Sequence, residues 1–152
     1  MKPVPGLRYH ESGPLHRDFH RTTNGTIAYL RKTYGIRMLD ALFRRFAHDV
    51  YRSIHDDLKR GDPEQLVRHW RHFMRREKGR FAIRRTNGAI TMTVQVCPAI
   101  AYLRSRGLDI DPAFCRQTVA VNAALAEGSP FEIMTDVLGE GRCVQTIRRR
   151  GA

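Results

Sequence analysis

Three cysteines carry most of the chemistry available to this sequence: Cys97, Cys115 and Cys143, all within Val94 to Arg148. Cys97 stands directly before Pro98. Proline suits the first turn of a helix, so the spacing predicts Cys97 at or near an N-cap. Unpaired N–H groups and the positive end of the dipole lower the pKa of a thiol there, and a thiolate is a nucleophile. Cys115 is expected one turn into a later helix, with Val119 and Asn122 on its face. Asn122 could orient a substrate or a catalytic group. Cys143 opens a strand after a glycine-rich turn, the kind of loop that borders a pocket. His20, from the first helix, could assist proton transfer to or from such thiols.

Each cysteine also has a plainer reading, as a small buried apolar residue. A third reading is metal: Cys97, Cys115 and Cys143 with one histidine would fill a tetrahedral zinc site. Their gaps are long and irregular, unlike those of fingers or ribbons. No cofactor is otherwise implied. His16 and His20 are four apart, a spacing that fits a metal pair but is commoner for surface histidines.

The elements that must position these residues follow from periodicity. Residues 1–14, rich in proline and glycine, read as an irregular arm, and 15–152 as a single domain. A first helix is expected from near Leu15 to Tyr34, ending at Gly35. A second is expected over Ile36 to Lys59. There Met38, Leu39, Leu42, Phe43, Phe46, Val50 and Ile54 form an apolar stripe that reads as core. Asp62-Pro63 starts a third helix, which runs to about Lys78 with Trp70 as a core anchor.

At Arg80 the period changes from 3.6 to 2. Phe81 and Ile83, then Ile90, Met92, Val94 and Val96, alternate about Asn87-Gly88, which predicts a hairpin with a type I′ turn. Thr91, Thr93 and Gln95 take the other face, where Thr93 and Gln95 could line a polar site. A helix from Pro98 to about Gly107 and another from Asp111-Pro112 to about Glu127 follow. A second hairpin is expected over Phe131 to Arg148, turning at Gly139-Glu140-Gly141. The expected fold is α+β, with helices packed on one face of a mainly antiparallel sheet made of two hairpins.

The chain has 152 residues and a formal charge of +12. Its basic residues are dispersed, and the one dense run, Arg68 to Arg85, reads as a solvated face. No nucleic-acid-binding module is recognisable, so no specific nucleic-acid partner is expected. No apolar run reaches membrane-spanning length. The N-terminal Met1-Lys2-Pro3-Val4-Pro5-Gly6 lacks the apolar core of a signal peptide, which points to the cytoplasm and reduced thiols. Homo-oligomerisation stays open.

The run Cys97-Pro98-Ala99-Ile100-Ala101, Gly107, Phe114-Cys115, Glu127-Gly128 and Gly139-Glu140-Gly141-Arg142-Cys143 resembles the aminothiazoline-carboxylate hydrolase family over the C-terminal half. It resembles more loosely the small-molecule-binding domains of the vinyl-reductase type. The first resemblance implies a hydrolase that opens a thiazoline-like or cyclic amidine ring, with a cysteine as nucleophile. Its substrate would be a small, carboxylate-bearing molecule that arginines such as Arg142 could grip. The second implies a binding or sensor domain without turnover. Two positions depart from the hydrolase pattern: Gln117-Thr118 stands where acidic residues are usual, and Glu140-Gly141 where paired aspartates are.

Overall fold

The computed structural model describes residues 5–9 and 16–151. The expected helix start at Leu15 and most of the proposed arm lie outside them. Four helices come first: α1 (Asp18–Tyr34), α2 (Ile36–Asp49), α3 (Arg52–Lys59) and α4 (Glu64–Arg76). The hairpin β1 (Arg80–Thr86) and β2 (Ala89–Val96) follows, then α5 (Pro98–Ser105) and α6 (Arg116–Leu125). The hairpin β3 (Phe131–Gly139) and β4 (Arg142–Arg149) closes the chain. Both hairpins join one antiparallel sheet in the order β1-β2-β4-β3, so the fold is α+β as expected.

Register decides which residues face the helices. Phe81, Val94, Cys143 and Val137 form one cross-strand row, and Ile83, Met92, Gln145 and Thr135 the next. Buried Met92, Val94, Ile133 and Ile147 pack under α3, α4 and α6 around Ile54, Leu58, Leu66, Val67 and Trp70. Trp70 is the anticipated core anchor. A second cluster joins Ile27, Leu39, Ile100, Leu103 and Phe114. The opposite sheet face carries exposed Ala82, Arg84, Asp136 and Arg148.

Four expectations need correction. The single helix over Ile36 to Lys59 is two, because Tyr51 leaves helical geometry and its ring packs against Tyr9, Phe46 and His69 at 5.0–5.3 Å. The break lets His48 and His55 reach carbonyl oxygens of Ala124 and Leu125, at 3.1 and 3.0 Å. These imidazoles reach acceptors at the end of α6, where helical carbonyls run out of intrahelical partners; the Ala124 carbonyl also accepts the Glu127 N–H at 3.2 Å. The apolar stripe of α2 is only partly core: Leu39 is fully buried, whereas Met38, Leu42, Phe46 and Val50 are 42–51% exposed. The Asn87-Gly88 turn has two residues, but Gly88 alone takes positive φ, which excludes type I′. The positive φ pair sits instead at Glu140 and Gly141, at 53° and 76°. Finally, Asp111 caps a short turn through the Ala113 N–H at 2.9 Å, and the helix proper starts only at Arg116.

Residues 5–9 are anchored. The Arg8 guanidinium reaches Asp57 at 2.5 Å, and the Tyr9 hydroxyl lies 2.6 Å from His69 Nδ1. Burial drives His69 down to about 4. Burial pushes Asp57 up, yet hydrogen bonds from Arg8 and Gln65 outweigh it and hold that carboxyl below its ordinary value. The Arg31 hydrogen bonds hold Asp111 low as well. All three groups bind protons more readily in the unfolded chain, so their stabilisation is full at neutral pH and lost on acidification. Denaturant titrations across pH are expected to show stability falling in two stages. The first, from His69, runs from about pH 6.5 to about 4; the second, from the aspartates, lies below the ordinary carboxylate range. His69→Gln should remove the first stage only. A curve flat down to pH 4 would contradict the burial of His69.

Candidate functional site

Cys97 occupies the N-cap of α5, with φ −73° and ψ 120°, and Pro98 follows at the first helical position. Its backbone N–H donates to the Gly141 carbonyl at 2.8 Å. This bond fastens the turn of the second hairpin against the start of α5. A Cβ at Gly141 would meet Ile100 Cγ2 at 3.1 Å and Cys97 Cβ at 3.7 Å. Close approach and positive φ together therefore require glycine there.

Cys115 caps the start of α6 rather than lying one turn inside it. Cys143 faces inward from β4. The two halves of the core meet at these thiols: Cys143 packs on the sheet cluster, Cys115 on the α1–α2–α5 cluster, and Cys97 on both. The sulfurs are close enough that ionising one opposes ionising another, Cys115 with both others and Cys97 with Cys143.

A chain of amides completes the lining. Asn122 Nδ2 donates to Thr135 Oγ1 at 2.9 Å and to Gln145 Oε1 at 2.8 Å. Gln145 Nε2 in turn donates to Cys143 Sγ at 3.6 Å. Asn122 and Gln145 are buried, 4% and 6% exposed. Paired polar groups this deep fix one arrangement of α6 against the sheet.

The expected activation of Cys97 is reversed. The Ala99 and Ile100 amides favour its thiolate, but burial dominates and raises its pKa, with a smaller push from Glu77. No full cap hydrogen bond forms to the sulfur. Burial, aided by the other two thiols, lifts Cys115 to about 11. Burial also raises Cys143. The helix dipole loses to desolvation at this site, and all three thiols are protonated at neutral pH.

His20 is buried beside Glu77, with Nε2 to Oε2 at 2.6 Å. Glu77 lies within electrostatic reach of Cys97, so His20 approaches the cysteines only through that carboxylate. His16 is exposed. Thr93 and Gln95 alternate with inward-facing Val94, and Arg142 with inward-facing Cys143, so all three stand on the sheet face opposite the thiols. Arg142 pairs loosely with Glu140, at 3.7 Å. These three are dropped as companions of the cysteines. Among the described residues, no three His, Cys, Asp or Glu side chains are grouped to hold a metal ion. The zinc arrangement of Cys97, Cys115 and Cys143 is dropped with them.

Gln145, Thr135 and Glu77 escaped the sequence reading. Gln145 was within reach of it, because two residues along a strand return to the same face as Cys143. An open cleft of about 560 Å³ lies elsewhere, between the start of α1 and the end of α5, and is lined by Arg17, Tyr102 and Arg106 among others. Of the residues singled out from the sequence it contains His16 but none of the cysteines or their expected companions.

Comparison with known proteins gives no match among family models, curated proteins or solved structures. Among the described residues, no helix is long and apolar enough to cross a membrane.

Proposed function

We propose that this chain is a small-molecule-binding domain, with the thiols and amides around Cys97, Cys143, Gln145 and Asn122 as the contact surface for a compact, weakly polar ring. The observation that carries this reading is that the three thiols are packed where the two core clusters meet, and that this burial raises all of them. A protonated thiol is a soft, weakly polar contact rather than a nucleophile. The absence of acidic residues at Gln117-Thr118, relative to the resembled hydrolases, agrees with it. Free cysteines accord with work in a reducing compartment such as the cytoplasm. The dispersed positive charge supports only weak, steeply salt-dependent contact with nucleic acid.

The convergence of the three cysteines favours one alternative, ring-opening hydrolysis of a thiazoline-like or cyclic amidine carboxylate. It would require Cys97 to surrender its proton when substrate binds, to a base near the site; Glu77 is the candidate. Both readings meet in one screen of thiazolines and cyclic amidines, carboxylates among them, followed by thermal stability and by mass-spectrometric product detection. The expected result is stabilisation without product, by about 2.7 kcal/mol at a hundredfold excess over Kd. Turnover that disappears in Cys97→Ser while ligand stabilisation persists would establish the hydrolase instead.

A further inference from the structure

Seven of the ten large hydrophobic residues exposed among the described residues fall between Tyr29 and Val50. Five of them, Tyr34, Met38, Leu42, Phe46 and Val50, recur every fourth residue across α2 and its two ends. The inward face of α2 is already committed, with Leu39 and Ala47 fully buried. Asp40 and Arg44 are committed sideways, to Arg116 and Glu127. What remains is an apolar ridge that stays more than two-fifths exposed among the described residues, although Phe46 touches the Tyr51 ring at one edge, flanked by Arg37, Arg45 and Asp49. Contiguous exposed apolar surface of this kind marks an interface.

We propose that this ridge is the dimer interface of the protein, with α2 crossing its own copy antiparallel about a two-fold axis at Leu42. The spacing is symmetric about that residue. Antiparallel pairing sets Leu42 on Leu42 and Met38 on Phe46, so the three large apolar groups within α2 meet one another; Tyr34 stands apart from this ridge, beyond the non-helical Gly35 (φ 83°, ψ 172°). Fourth-residue ridges interlock in this way in helix packing, and a two-fold interface must be complementary to itself. The charges agree. The same pairing carries Arg37 of one copy towards Asp49 of the other, and Asp49 already holds Arg45 of its own helix at 3.1 Å. Each aspartate then lies between two arginines at the rim, and no carboxylate faces a carboxylate.

The net charge of +12 opposes self-association over distance, and salt screens that repulsion while leaving apolar contact intact. Sedimentation of the full chain over a concentration series should therefore show a dimer that tightens as salt is raised. Leu42→Asp places two carboxylates on the axis. It should weaken dimerisation by about tenfold or more, with the melting temperature of the monomer unchanged, since Leu42 belongs to neither core cluster. Leu42→Cys should form an intermolecular disulfide under mild oxidation, because a residue on the axis faces itself; Thr86→Cys, at the tip of the first hairpin, should not. A wild-type chain that stays monomeric at its highest soluble concentration overturns the proposal and leaves the ridge to another partner. A dimer insensitive to Leu42→Asp, or no faster cross-linking at Leu42 than at Thr86, overturns it equally.

Discussion

Glu77→Ala is expected to destabilise the protein by about 1–3 kcal/mol, the usual cost of leaving a buried hydrogen-bonding group without its partner. Glu77 and His20 are each 3% exposed, and the 2.6 Å contact between them joins α1 to the end of α4. Arg76 approaches the other Glu77 oxygen at 3.4 Å. Truncating the carboxylate strands the imidazole without its acceptor among Phe19 and Tyr102, whose ring centres lie 4.2 and 6.2 Å away. Glu77→Gln keeps an acceptor and should cost clearly less. In a double-mutant cycle, His20→Ala and Glu77→Ala together should cost less than the sum of the two. Denaturant midpoints at constant m-value measure all of these. Additive losses would mean that the pair is not coupled.

Glu77 shows why some of the molecule was legible in the sequence and some was not. Strand alternation and turn residues are local signals, and both hairpins lie where Phe81 to Val96 and Phe131 to Arg148 put them. The N-cap at Cys97 is equally local: a residue before proline, followed by a short apolar helix. Long-range pairing leaves no such trace. Nothing near Glu77, in a run of basic residues, tells that its partner is His20, 57 positions earlier. The apolar stripe of α2 failed for a related reason. Periodicity reports that one face is apolar, not what covers it, and here Met38, Leu42 and Phe46 face outward.

At the site, residue type and position were readable and environment was not. Cys97 is where the sequence puts it, but the sign of its pKa shift depends on the packing of two core clusters around it. Alternation alone separates Thr93, Gln95 and Arg142 from Cys143 once strand pairing is known. The pairing of β2 with β4 spans some fifty residues and cannot be read from either strand by itself. The same alternation places Gln145 beside Cys143.

Native-state thiol labelling at neutral pH is expected to be slow for all three cysteines and fast in denaturant. Cys115, at about 11 against an ordinary 9.0, holds about a hundredfold less thiolate than a free cysteine. Its native labelling rate should keep rising with pH well above the point where an unfolded cysteine levels off. Partial burial slows access further, so the ratio of denatured to native rates should exceed a hundredfold at that residue. Cys97 provides the sharper test, because a named charge acts on it. Glu77→Gln removes a negative charge near the sulfur and leaves a side chain of the same size. It should therefore speed labelling of Cys97 more than that of Cys143, with the fold monitored by circular dichroism. Mass spectrometry of labelled peptides assigns each rate to its residue. Stoichiometric labelling of Cys97 within seconds in the native wild-type protein would mean that the α5 amides outweigh burial after all. The site would then hold a poised nucleophile, and ring-opening hydrolysis would displace simple binding as the better account of this protein.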